Sequence, residues 1–310
     1  MGRSAEVRSR RFSEPEGGGD AAAAPPVAEV QSRSSVDWPL MVLVFIAGGV
    51  LMGLEIVGSR ILAPHFGNSV FVWGSLISVF LAALSIGYYV GGWVADRRPS
   101  QLLLNSICTS VSLLIFAVAV LAQPVCNGLI AAGAGEQSGP LLASIILFLP
   151  ASVGMGMVSP FAVRLATRSV ESVGKAAGTL YALSTIGSIA GTLATTFLLI
   201  PWFGVAGIIK GLAGTLLLTA LLTTPGLSRA TAPARVLVFT IPAILSFLWE
   251  APVGTPLAFG DRVVLDVETP YHHITVIDNR LSQTRQLRFD RYVETAIMQD
   301  EPHASRCDYT

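Results

Sequence analysis

Charge is the scarcest property of this 310-residue sequence. It holds 20 Lys or Arg and 20 Asp or Glu, 13% of the chain, which cancel to a formal net charge of zero. That share is about half the roughly 25% of an ordinary soluble domain. The shortage is local: residues 1–37 carry 11 charges, residues 38–250 carry 14 and residues 251–310 carry 15. The long middle stretch has too few charges to solvate a globular surface of its size. A soluble single-domain enzyme is therefore excluded, and so is a nucleic-acid binder working through a basic surface. Cysteine is scarce as well. Cys108, Cys126 and Cys307 are an odd number without CxxC spacing, which argues against a disulfide framework or a zinc site.

What the sequence has instead is apolar length. Hydrophobic residues make up 52%, and no charge interrupts residues 61–95, 99–135, 137–163 or 176–209. A helix crosses a bilayer core of about 30 Å with about 20 such residues. The pattern predicts an all-α polytopic membrane bundle of about seven spans over residues 38–250. These are Trp38–Leu62, Val70–Ala95, Leu102–Val125, Leu141–Ala166, Ala176–Ile200, Val205–Thr224 and Val236–Trp249. The last is short, fourteen residues with Pro242 inside, or about 21 Å of helix. It leaves two alternatives open: a crossing, or a re-entrant or interfacial segment. Trp38, Trp73, Trp93, Trp202 and Trp249 all fall at or near predicted ends, where an indole keeps its ring apolar and its N–H wet.

Orientation follows from the basic residues of the short loops. Arg97 and Arg98 follow span two, Arg164, Arg168 and Lys175 lie between spans four and five, and Arg229 and Arg235 between six and seven. Five Arg precede span one. The expectation is a multi-pass protein of the plasma membrane with its N-terminus in the cytoplasm. Residues 1–37, rich in Arg, Glu, Gly and Ala, have no periodic apolar face and read as a disordered cytoplasmic tail. Residues 251–310 read as a small β-hairpin or three-stranded region, from Val263–Leu265, His273–Asp278 and Arg285–Asp290, with a polar turn beginning at Asp278-Asn279-Arg280.

Few side chains inside the spans carry chemistry. Glu55 and Arg60 are ionisable, which is costly in a span and marks a candidate site. Glu55 lies seventeen residues past Trp38, about 26 Å along the helix, so an interfacial charge and a buried ion or proton contact both remain open. Arg60 suits a snorkelling role. Glycines four apart recur at Gly49/Gly53, Gly87/Gly91, Gly174/Gly178, Gly187/Gly191 and Gly207/Gly211, the spacing that lets helix backbones approach closely. Pro150, Pro160 and Pro201 are possible helix breaks. The adjacent His272 and His273 would point to opposite faces of a strand and make a poor metal pair. Gly91-Gly92-Trp93-Val94-Ala95-Asp96-Arg97-Arg98 resembles the loop between helices two and three of major facilitator transporters, where an Asp braces neighbouring helices.

A broader resemblance covers roughly residues 38–310. Glu55-Ile-Val-Gly-Ser-Arg60-Ile-Leu-Ala-Pro64-His65-Phe66-Gly67, then Val72-Trp73-Gly74, then Gly87-Tyr88 through Arg97, and later Tyr181-Ala182-Leu183-Ser184-Thr185-Ile186-Gly187-Ser188, resemble the bacterial membrane proteins that fuse a helical bundle to a spermidine synthase-like domain. In the tail, Glu268 through Val276, Leu287 through Asp290, Val293 through Ala296 and Asp308-Tyr309 resemble the N-terminal β-region of spermidine synthases, which are aminopropyltransferases. The resemblance implies a cofactor-binding position at His272, where the family has a glutamine that holds the nucleoside of decarboxylated S-adenosylmethionine. It implies substrate-binding positions at Glu294, matching a second glutamine, and at Tyr309 in the polyamine pocket. Thr310 stands where the family has a histidine, so three of these four positions differ in type. The family's glycine-rich loop, acidic ribose contact and catalytic Asp lie further downstream, and no Gly-x-Gly follows a strand in residues 251–310. The expectation is the membrane portion of such a fusion, cut before its nucleotide-binding domain. No catalytic residue, cofactor or metal is expected in these residues, and decarboxylated S-adenosylmethionine is implied only for a full-length homologue. The expected partners are the lipid bilayer and a polyamine. Two alternatives stand beside it: a transporter-like bundle for a small polar or cationic solute, and a non-catalytic membrane scaffold.

Overall fold

The computed structural model describes residues 37–167, 173–224, 261–269, 273–289 and 292–299. These are mostly helical, followed by a small antiparallel sheet. The expectations for the tail before Asp37 and for the span Val236–Trp249 lie outside the described residues.

Six helical rods among the described residues are long and apolar enough to cross a membrane. Helix α1 runs Trp38–Phe66, α2 Val70–Arg97 and α3 Gln101–Ala131. All three outlast the ends read from the sequence. In α1 the chain stays helical through Pro64, because a proline in the last turn removes one hydrogen bond and no more. The turn closes when the Gly67 N–H bonds the Ala63 carbonyl at 2.8 Å, with Gly67 at φ 77°, a conformation that suits glycine. In the same way α3 continues past Pro124.

The fourth expected span is interrupted. Helix α4 runs Ser138–Leu147 and α5 Leu149–Ala166, with Phe148 between them still in the right-handed helical region. Pro150 accounts for the break, since it has no N–H to give the carbonyl four residues earlier. The ladder resumes on either side, from Phe148 N–H to Ser144 O at 2.9 Å and from Ser152 N–H to Phe148 O at 3.0 Å. Helix α5 by itself is long enough to span. The next rod, Val173–Trp202, is also uneven. It comprises α6 (Val173–Ala194), a π-helical turn (Thr195–Leu199) and the short α7 (Ile200–Trp202). Pro201 again supplies the reason, because widening the turn just before it moves the ring away from the preceding carbonyls. Helix α8 runs Val205–Leu222.

Two glycine seams hold the helices together. Gly48, Gly49 and Gly53 of α1 face the rod that begins with α6. A Cβ on Gly187 would overlap the Phe45 carbonyl, and one on Gly191 would overlap the backbone of Gly49. The second seam joins α2 to α5. A Cβ on Gly87 would strike the Val153 carbonyl, and one on Gly91 would come within 2.6 Å of the Met157 Cα. Three of the five glycine pairs found in the sequence therefore sit at close contacts. The other two do not, because Gly174, Gly178, Gly207 and Gly211 have open space where a side chain would go. Helix α3 meets α8 through polar contacts instead. Ser112 Oγ donates to the Ala213 carbonyl at 2.6 Å. Asn105 Nδ2 donates to the Ala220 carbonyl at 2.9 Å and to the hydroxyls of Thr223 and Thr224 at 3.2 and 2.9 Å.

The bundle has two distinct ends. Arg164 Nε of α5 lies 3.3 Å from Asp96 Oδ1 of α2, so the basic loops after α2 and α5 share one end. Arg97 there lies 3.7 Å over the Trp93 ring. At the other end Phe66 packs against Gly139 at the start of α4. The β-region is a four-stranded meander in the order β1 (Arg262–Glu268), β2 (His273–Asn279), β3 (Thr284–Phe289) and β4 (Tyr292–Met298). It has one strand more than the hairpin or three-stranded unit expected. The alternation of Val293, Thr295 and Ile297 along β4 is the signal that reading passed over.

The seams make a direct prediction. Gly191→Ala forces α1 and α6 apart and should cost about 1–3 kcal/mol, read as a lower unfolding temperature in detergent. Gly207→Ala and Gly211→Ala fill open space with a better helix former and should leave that temperature unchanged or raise it.

Candidate functional site

The inner walls of α1, α2, α5 and α6 leave a cavity of about 360 Å³. Its α1 wall is one stripe of the helix. Val44, Ala47, Gly48, Leu51 and Met52 fall on one side of the helix, within an arc of about 140° at 100° per residue. Gly48 is ten residues past Trp38, about 15 Å along the helix, which sets the cavity near the middle of the span. The glycine seams explain why it exists. They draw α1 to α6 and α2 to α5 at fixed points, and the larger side chains between them cannot close the remaining gap.

The lining is apolar with a few hydroxyls. Tyr88 comes from α2, Ser159 from α5, and Tyr181, Ser184 and Ser188 from α6. Ser188 is occupied, donating to the Gly48 carbonyl at 3.2 Å. Thr185, also on the wall, bonds back to the Tyr181 carbonyl at 2.8 Å. Among the described residues no Lys, Arg, Asp or Glu lines the cavity. A few oriented hydroxyls in an apolar pocket are the usual makings of a small-molecule site.

Glu55 continues the α1 stripe. It is one turn beyond Leu51, at the centre of the arc that faces the cavity. Its side chain is half-buried and has no hydrogen-bond or ion-pair partner among the described residues. Arg60, five residues on, is directed elsewhere. Its guanidinium donates to the carbonyl of Thr269, just after β1, and so ties the sheet to the end of α1 opposite Asp96 and Arg164. Of the three tail positions singled out in the sequence, only Glu294 is among the described residues, and His272 and Tyr309 lie outside them. Glu294 is exposed on β4, at the register shift where Leu287 pairs with Thr295 and Arg288 with Val293.

Sequence reasoning passed over the roles of Tyr88, Ser159, Tyr181 and Ser184. The available signal was a tyrosine beside a packing glycine in mid-span and hydroxyls four residues apart on α6. Assigning them to one cavity needed to know which helices pair.

In the sheet, Asp278 and Arg285 face each other across β2 and β3 in a bidentate pair at 2.7 and 2.9 Å. The hydrogen bonds from Arg285 hold the Asp278 carboxyl below its ordinary range and raise the Arg285 guanidinium. Asn279 shapes the adjoining turn, its Oδ1 accepting from the N–H groups of Leu281 and Ser282 at 3.0 and 2.9 Å.

No family model, curated protein or solved structure matches the chain.

The Asp278 carboxylate should support the sheet at pH values above the ordinary aspartate range, about 4. That support is lost as the pH falls through its depressed value. Amide protection of the β2–β3 ladder should therefore drop on acidification in the native chain, and drop less in Asp278→Asn, when measured by hydrogen exchange.

Proposed function

We propose that this chain is an integral membrane protein, the membrane portion of a spermidine synthase-like fusion, and that these residues do not themselves transfer aminopropyl groups. The observation that carries the reading is the sheet. Where they are described, the tail segments that resemble the β-region of the synthases fall mainly on consecutive strands β2, β3 and β4 of an antiparallel meander, with Glu268 closing β1. Residues 251–310 contain no Gly-x-Gly after a strand, so a nucleoside cofactor such as decarboxylated S-adenosylmethionine would be held by a segment outside these residues. The test is the coding sequence that follows Thr310. An in-frame glycine-rich nucleotide loop after a strand is the expected result, and a continuation with no such motif removes the reading.

Orientation bears on where the sheet would work. We assign the Asp96–Arg164 end and the N-terminus to the cytoplasmic side of the plasma membrane, on the distribution of Lys and Arg. The Arg60–Thr269 contact lies at the other end, which favours a sheet outside the cell. Cys108 and Cys126 are buried, so a membrane-impermeant maleimide reads Cys307. Labelling of intact cells is expected, and labelling only after permeabilisation would reverse the orientation.

The cavity favours a second reading beside the first, a transporter-like bundle that binds a small polar or cationic solute. Its mid-span position, its apolar walls and the hydroxyls of Ser159 and Ser184, which have no partner among the described residues, support that reading.

A further inference from the structure

We propose that the cavity between α1, α2, α5 and α6 binds an alkylammonium ion, with its ammonium group on Glu55 and its short apolar chain between Tyr88 and Tyr181. The proposal rests on the solute-binding reading of the bundle and deepens it by naming the ligand class and its counter-ion.

Three observations converge. First, Glu55 is half-buried inside a span and has no partner among the described residues, although a carboxylate in that setting is costly without one. Second, it lies on the same stripe of α1 as Gly48, Leu51 and Met52, which line the cavity, one turn or about 6 Å further along the axis. A ligand that fills the cavity and reaches Glu55 must therefore have a head and a tail. Third, the lining suits the tail and the neck of a cation. Its walls are mainly apolar, and they include the aromatic side chains of Tyr88 and Tyr181, a residue type that can hold a cation against its ring. The hydroxyls of Ser159 and Ser184 can accept from an ammonium or an attached polar group, and neither has a partner among the described residues. Among the described residues no basic side chain lines the cavity, so none of them offers an anion a counter-charge there. The volume of about 360 Å³ is at the small end of ligand pockets, which run from roughly 300 to 1,000 Å³.

The experiment is binding of n-butylammonium and of its neutral counterpart butyramide to the protein in nanodiscs, by calorimetry. The expected result is at least tenfold tighter binding of butylammonium. Glu55→Gln should bring the ratio of the two affinities close to one while butyramide binding stays unchanged. Glu55→Asp, which keeps the charge, should retain the preference and so separates loss of charge from loss of fold. Tyr88→Leu should weaken the cation more than the amide. Equal binding of the two probes to the native chain, or a preference that survives Glu55→Gln, overturns the proposal and leaves the solute-binding bundle standing. Binding of neither probe overturns both.

Discussion

Everything in the bundle depends on how closely four helices can approach. In a bilayer the hydrophobic effect does not press helices together, because lipid tails are as apolar as the side chains. Contact must come from backbone fitting backbone. Gly187 and Gly191 against Phe45 and Gly49, and Gly87 and Gly91 against Val153 and Met157, supply it. These two seams fix α1 to α6 and α2 to α5. The cavity is what remains between two pairs that are each closed by glycine.

Polar groups follow the same logic. Where α3 meets α8 there is no glycine seam, and Asn105 and Ser112 reach across to backbone carbonyls instead. At the basic end, Asp96 is matched by Arg164 and Arg97 lies on Trp93, so charge stays at the rim of the bundle. Glu55 is the exception. Its charge lies inside a span, on the stripe of α1 that faces the cavity, and nothing among the described residues answers it.

The sequence made the bundle legible because charge is so unevenly spread. Long uncharged runs and terminal tryptophans located the six rods, with ends within six residues except at the start of α5, which lies eight residues past the expected Leu141. Helix ends were less legible: α1 runs past its expected end at Leu62 and through Pro64, and α3 runs past its expected end at Val125. Of the three prolines marked as possible breaks, Pro150 and Pro201 stand at irregular turns, whereas α5 runs unbroken through Pro160. The glycine spacing found the seams but could not separate Gly187/Gly191 from Gly207/Gly211, because spacing alone does not say whether a second helix lies opposite. The cavity was hidden for the same reason. Glu55 and Arg60 stood out as charges, yet only the structure shows that Glu55 lies one turn beyond the α1 residues that line the cavity and that Arg60 reaches Thr269 beside the sheet.

Helix α1 joins all of these parts. It carries a seam at Gly48, the cavity wall, Glu55, and at Arg60 the bond to Thr269. Gly48 and Arg60 are twelve residues apart, about 18 Å along the axis. A pivot of about 10° at the seam would carry Arg60 sideways by about 3 Å, roughly the length of one hydrogen bond. The closeness of the seam thus sets the tolerance for the contact at Arg60: a small error in helix packing at the glycines is magnified where α1 meets Thr269.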